Sequence, residues 1–586
     1  MKLKKLLQDG YFPKELPPPF HTKSFGEKSR FVISKWQKLL ADEQLQKPGE
    51  LQKDAKNRFN ENFTQKYGSS KLIEYSISKG VYSRRKLEIP NPKQYLDLSQ
   101  AIVDNWKIIN DTYKISSYSE SKPVLHKAKR SIRTKSKSWN NFKFELIEKS
   151  FNRKVELKID ISNFYPTIYT HSIPWGLLGK VDAKKYFKIK NSKPSQWATL
   201  LATDPKAQTY RVADFIDTLV RNCNERQSIG IPIGPDTSFL LAELIGCRID
   251  FEIHNKINKI SHECIRYYDD YFFYVDTHGE AENILKIVQR ILYDFQLETN
   301  ENKVGIKEIP LRYIENWSIT LSNFKFQNND KYELRNYFTI LYSIVDSNKG
   351  NSSWIINYGL TRFEYGNVKI KKENWQIFLS LLLQTILIDP SNIKQIFKII
   401  LSYKTYVNPK SKERIASVLD KIITEHISLN HSFEVSWSLW FYKSFNIKCK
   451  SETISSVLKS HDEISKLVAL DLIDSKLFLG KKPTLTELAK SLTSQSLFDE
   501  HWILAYEAYK KNWLDFKGRN ILSSNDFFNI LNYYDISFYD VNLQLKTEFI
   551  VRPPIEFGDP FGDWPNFQDV DDDDDDDDDD DEGGEY

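Results

Sequence analysis

Two adjacent aspartates, Asp269 and Asp270, interrupt an otherwise apolar stretch that runs from Cys264 to Val275. Ile265 and Tyr267 flank the pair on one side, and Phe272, Phe273, Tyr274 and Val275 on the other. Such a stretch reads as two strands that meet at the aspartates. A double negative charge buried without counter-charge is costly. Any fold of this chain must therefore carry Asp269-Asp270 at a hairpin tip and supply cations there. A second run has the same character. Val155, Leu157, Ile159 and Ile161 alternate with Glu156, Lys158 and Asp160. The period of two predicts a half-buried strand with Asp160 on its polar face. Asp160 precedes Asp269 by 109 residues. Brought together, three carboxylates repel unless cations lie between them. All-oxygen ligands suit Mg²⁺ or Mn²⁺. Two such ions about 3.5–4 Å apart can activate a hydroxyl and stabilise a leaving pyrophosphate. An Asp-Asp pair in an exposed turn is the plainer alternative.

The surrounding elements follow from pattern. Ser238 to Ile257 and Ala281 to Phe295 read as helices, and with the strands they predict an antiparallel sheet backed by helices, an α+β layer. From about 335 to 550 strand signals fade. Ile393, Ile396, Phe397 and Ile400 share one helical face, as do Ile415, Val418, Leu419 and Ile422, and Trp502, Tyr506, Tyr509 and Trp513. Stacked antiparallel helix pairs, a solenoid-like module, are the expectation. The predicted organisation is an N-terminal region over 1–150, a sheet-bearing unit over 151–335, a helical region over 336–550, and a disordered acidic tail over 551–586.

Charge is distributed unevenly. Residues 569–586 hold fourteen acidic residues and no Lys or Arg, so a chain of net charge +4 has a body of +18. Such a body attracts polyanions; a merely solvated lysine-rich surface is the alternative. From Glu120 to Lys154 eleven Lys/Arg face three Glu, next to Trp139, Phe142 and Phe144. Basic groups interleaved with aromatics suit a nucleic-acid strand; a charged loop or helix face is the alternative. The aspartate run cannot fold alone; it serves either as a shield over the basic body or as a solubility tail. No apolar run reaches transmembrane length, no secretory leader is evident, and four cysteines lack a metal or disulfide spacing, so a cytoplasmic setting without membrane contact is expected.

The motifs in order resemble those of reverse transcriptases over roughly residues 60–330. Asp160-Ile161-Ser162-Asn163-Phe164-Tyr165 is similar to motif A, Gly230-Ile231-Pro232-Ile233-Gly234-Pro235-Asp236-Thr237-Ser238 to motif B, Tyr267-Tyr268-Asp269-Asp270 to motif C and Asn302-Lys303 to motif D. Arg85-Lys86-Leu87-Glu88-Ile89-Pro90 resembles the fingers motif of group II intron and retron enzymes. Glu15 to Phe20, Ile168 to Trp175, His501 to Ala508 and Ile536 to Asp540 are similar to bacterial abortive-infection enzymes. These belong to the defence-associated "unknown group" with a C-terminal α-helical repeat domain.

The resemblance implies a fingers-palm fold and an anti-phage DNA polymerase. Asp160 and Asp269, with the Ile161 carbonyl, would bind two metals, and Asp270 would support them. Arg85 would hold the triphosphate, Tyr165 would exclude a ribose 2′-hydroxyl, Gly234 would let the nucleotide approach, and Lys303 would protonate or neutralise pyrophosphate. It also implies dNTP substrates, product DNA or RNA as nucleic-acid partner, homo-oligomers, a phage-derived trigger, and synthesis without a conventional template, primed from a tyrosine. Pro232-Ile233-Gly234 lacks the Gln that templated enzymes carry, and no second fingers arginine follows Pro90. A conventional RNA-templated reverse transcriptase and a non-enzymatic nucleic-acid-binding scaffold remain the competing readings. His171 reads as a helix-entry or packing residue, and Thr170 or Ser172 as the cap of a helix near Pro174.

Overall fold

The computed structural model describes residues 1–545 except 46, 48–51, 61–64, 80–82, 127–129, 135–138, 312–314, 349, 351 and 365–367. The acidic tail of the sequence reading lies outside the described residues, as does part of the basic 120–154 segment. The fold is helix-rich, with small sheets in its first half and a helical second half.

Two short hairpins precede the central sheet. β1 (Ile73–Ser78) pairs antiparallel with β2 (Arg84–Ile89), and β3 (Pro123–Leu125) with β4 (Ile132–Thr134). The alternating run at 155 forms β5 (Val155–Asp160), at the centre of a four-stranded antiparallel sheet. With β6 (Glu263–Tyr267), β7 (Asp270–Val275) and β8 (Gly305–Glu308), the strand order is β6-β7-β5-β8. Register sorts its side chains. Leu157 lies opposite Phe273 and Ile159 opposite Tyr271, and these four pack into the core shared with helices Asp236–Ile257 and His278–Asp294. Lys158 lies opposite Phe272 and Asp160 opposite Asp270, on the other face.

That second face was expected to be open to water, and here the structure corrects the sequence reading. Helix Trp139–Ser150 lies over it, and Phe142 and Leu146 pack on Ile265, Tyr267, Phe272 and Tyr274. The Phe142 ring is 4.7 Å from that of Tyr267 and 5.7 Å from that of Phe272. The β6–β7 part of this face is thus covered, and on β5 Asp160 keeps only 2% of its surface exposed while Lys158 stays partly exposed.

The helical second half builds in layers. Helix Trp375–Ile388 packs on Pro409–His426, which packs on Ser432–Ser444, then Glu463–Asp474, then Trp502–Lys510. Ile393, Ile396, Phe397 and Ile400 are fully buried, as the periodicity requires. Two differences stand out. β9 (Cys449–Lys450) and β10 (Phe478–Leu479) form a two-residue parallel pair within the helices. Trp513 falls beyond its helix, which stops at Lys510 just before Asn512 turns left-handed (φ +55°). One continuous apolar core joins residues 7–96 to the helices beyond 316. β1 and β2 sit against helix 432–444, where Tyr75 meets Ser436 at 2.9 Å and Trp437 donates to the Glu15 carbonyl at 2.8 Å. Among the described residues no helix is long and apolar enough to cross a membrane.

Candidate active site at the β6–β7 hairpin

The turn between β6 and β7 consists of Tyr268 and Asp269, with Tyr268 left-handed at φ +54°. That conformation costs a non-glycine residue roughly 1–2 kcal/mol, so the surroundings must hold it. Two hydrogen bonds do: the Tyr268 amide donates to Ser121 Oγ at 2.9 Å, and its carbonyl accepts from Arg266 Nη1 at 2.7 Å. Arg266, only 1% exposed, is locked in turn. Its fork donates to Glu243 at 2.8 and 3.0 Å, and its Nε to Asp250 at 2.8 Å. Glu243 and Asp250 are seven residues apart on helix 236–257, two turns along one face. Gly246 between them makes room, because a Cβ there would lie 3.0 Å from the guanidinium. Ser119 donates to Glu243, and Ser116 and Tyr271 donate to Asp250. Burial pushes the Glu243 carboxyl up, but Arg266 more than offsets it, and the group ends below its ordinary value.

The acids at the tip are held differently. The Ile161 amide donates to the Asp269 carbonyl at 3.1 Å, and the Asn300 amide to the Asp160 carbonyl at 2.8 Å, tying the end of β5 to the hairpin and to the approach to Lys303. Lys303 Nζ lies 2.7 Å from Asp160 Oδ2, and Lys158 Nζ 3.2 Å from Asp270 Oδ1. Burial, then Asp270 and Asp160, push the Asp269 carboxyl up to about 7. Burial also raises Asp270, against the pull of Lys158. Three carboxylates thus meet two lysines in direct pairs. Lys79 and Arg85 stand within electrostatic reach, and both have their pKa lowered, chiefly by burial. The oxygens of Asp160 and Asp269 and the Ile161 carbonyl are hard donors of the kind that suits Mg²⁺ or Mn²⁺.

Beside the tip opens a cleft of about 90 Å³, lined by Glu15, Arg85, Arg130, Tyr165, Gly234 and Tyr268 among others. Arg85, Tyr165 and Gly234, separated in sequence by as many as 149 positions, meet in this one wall. Tyr165 is half-buried, and burial raises its hydroxyl pKa well above the ordinary value. Gly234 takes φ +128°, a conformation that favours glycine. The side where its Cβ would stand faces Pro13, 2.8 Å away. Its lack of a side chain therefore serves close packing against Pro13 as well as the cleft wall. The Ile233 carbonyl accepts from the Glu88 amide at 2.8 Å, binding this loop to β2.

Arg130 went unnoticed in the sequence. It donates to Asp236 Oδ1 at 2.8 Å and to the Gly234 carbonyl at 2.5 Å, so it shapes the cleft floor. Its signal was its place in the basic 120–154 segment, read there as a nucleic-acid surface. Arg266 and Lys158 were also missed; a lone arginine or lysine in an apolar strand was the available clue. The proposed caps fail: Thr170 and Ser172 bury their hydroxyls without a hydrogen-bond partner among the described residues, and His171, the residue before helix Ser172–Leu178, pairs with buried Asp217 at 2.7 Å.

No protein-family model matches the chain, and no curated sequence matches it. Among solved structures it is similar to apo telomerase from Candida tropicalis at 13% identity, over 77% of this chain and 74% of that one, with a TM-score of 0.27. It is likewise similar to telomerase from Candida albicans in complex with a fragment of telomeric RNA, at 11% identity, over 76% and 69%, with a TM-score of 0.27. Likenesses at this level carry no assignment.

Proposed function

We propose that the chain is a nucleotidyltransferase of the reverse-transcriptase type that adds dNTPs to a growing strand, with fingers around β1–β2 and a palm around β5–β8. One observation carries the reading: Asp160, Asp269, Asp270 and Lys303 gather at a single hairpin tip, beside a cleft walled by Arg85, Tyr165 and Gly234. The under-neutralised carboxylates suit divalent cations, and Asp160, Asp269 and the Ile161 carbonyl would hold them. Mg²⁺ there would supply charge neutralisation and Lewis-acid polarisation of the phosphate.

The chain's own residues do the remaining work. Arg85 receives the triphosphate as it enters the cleft. Tyr165 presents a ring where a 2′-hydroxyl would sit. A hydroxyl group loses its proton to water as its oxygen attacks the α-phosphorus, the α–β phosphoanhydride bond breaks, and pyrophosphate leaves. Lys303 gives its proton to that leaving group.

Helix 139–150 supports synthesis without an ordinary template. It lies on the same sheet face as Asp160 and Asp270, so a duplex crossing that face has to displace it. Ile233, in place of the usual Gln, has its carbonyl engaged by Glu88. Protein priming, the defence role, a phage-derived trigger and homo-oligomers rest on the sequence resemblance. The test is direct. Full chain with labelled dNTPs and Mg²⁺ should yield DNase-sensitive label, part of it attached to protein, and Asp269→Ala should reduce it to background. Faithful copying of an added RNA would favour the templated enzyme instead.

A further inference from the structure

Far from the carboxylates, the corner between two helices brings other ligands together. Helix Pro409–His426 ends at His426, a tight turn Ile427–Leu429 follows, and Asn430 turns left-handed at φ +52°. His431 then precedes helix Ser432–Ser444. The His431 amide folds back on the His426 carbonyl at 3.2 Å. This sets the two imidazoles side by side, ring centres 4.9 Å apart and Nδ1 atoms 2.7 Å apart. Glu434, 1% exposed, reaches the same point from the first turn of the second helix. One ligand atom from each of the three lies within 4.8 Å of the others.

We propose that His426, His431 and Glu434 form a binding site for a transition-metal dication, with zinc the ion they fit best. Two imidazoles and a carboxylate are zinc's own donor set, and three protein ligands leave a fourth place for water. The set is softer than the all-oxygen group at the β6–β7 tip and so selects a different metal. Burial lowers the pKa of both rings, with Glu434 opposing and the Arg84 charge acting with burial; a cation between the rings would displace the proton that one Nδ1 holds in their hydrogen bond. Zinc–nitrogen bonds of 2.0–2.1 Å in tetrahedral array need the two nitrogens about 3.3 Å apart, a small opening from 2.7 Å. Arg84 grips Glu434 at 2.6 and 2.8 Å, yet each carboxylate oxygen keeps a second lone pair. Hydrogen-bonded carboxylates of this kind are aimed by their partners. Through that grip the ion would fasten the helix corner to β2, where the next residue, Arg85, lines the cleft.

The site is independent of the polymerase reading, and its test needs no catalysis. The full chain, made without a histidine tag and stripped by chelator, is titrated with Zn²⁺ and then with Co²⁺. One zinc per chain is expected to survive dialysis against excess Mg²⁺. Co²⁺ should give the intense visible bands of a tetrahedral site, and Zn²⁺ should raise the melting temperature. His426→Asn with His431→Asn should weaken binding at least tenfold while leaving the metal-free melting temperature in place. Zinc retention by the parent no greater than by the double variant would overturn the proposal, and would leave the two rings as a hydrogen-bonded packing pair.

Discussion

Two groups of buried charge lie a few residues apart on the same sheet and are treated in opposite ways. Around Arg266, two carboxylates meet one guanidinium and several hydroxyl donors, and the charges are consumed inside the protein. At the hairpin tip, Asp160, Asp269 and Asp270 meet Lys158 and Lys303, and Asp269 is left so poorly compensated that its pKa rises to about 7. Removing one partner of a completed buried network exposes the charge of the other, so such a network holds the fold. A cluster with too little internal counter-charge is less stable than it need be, and it gains when cations arrive from outside. The first group sets the hairpin's shape, and the second is where the proposed chemistry would take place.

The contrast breaks most visibly at Arg266. Arg266→Met should cost about 3–5 kcal/mol, since it strands Glu243 and Asp250; urea unfolding measures it. A loss below about 1 kcal/mol would mean the network is not structural. Next in size is Lys303→Ala. It should lower dNTP addition by roughly a hundredfold or more, and single-turnover rates read it. Smaller again is Tyr165→Ala, which should leave dNTP addition within about tenfold and admit rNTPs, scored by competition between the two substrates.

The pH dependence of stability also shifts, and its sign follows from Asp269. Its carboxyl sits near 7 in the folded chain against about 3.9 unfolded. The folded state therefore holds a proton that the unfolded state releases, and stability falls as pH rises from about 4 through 7. Metal-free chain should lose melting temperature between pH 5 and 8 more steeply than Asp269→Asn does, and Mg²⁺ should restore it at pH 8. Parallel curves would show that Asp269 titrates normally.

Much of the sheet was legible in the sequence, because the alternation in 155–161 and the apolar run 264–275 around Asp269-Asp270 became β5, β6 and β7. The gathering of Arg85, Tyr165, Gly234 and Lys303 was legible only through the motif resemblance, since no local pattern links residues so far apart. What escaped was tertiary. Helix 139–150 looked like a basic strand-binding segment because lysine and arginine dominate its neighbourhood. Phe142 and Leu146, one turn apart, were the hint that it roofs the sheet. The Arg266 network was written as Glu243 and Asp250 on one stripe of an otherwise apolar helix, with Gly246 between them. That pattern names a buried cation without saying which one.

The central claim is that the tip acids serve cations and not the fold. Asp269→Asn tests it in one protein by measuring its metal-free unfolding midpoint at pH 8 together with its dNTP incorporation in Mg²⁺. The expected result is a midpoint equal to or above the parent's with incorporation gone. A midpoint that drops as far as that of Arg266→Met, or incorporation at the parent's level, would contradict it.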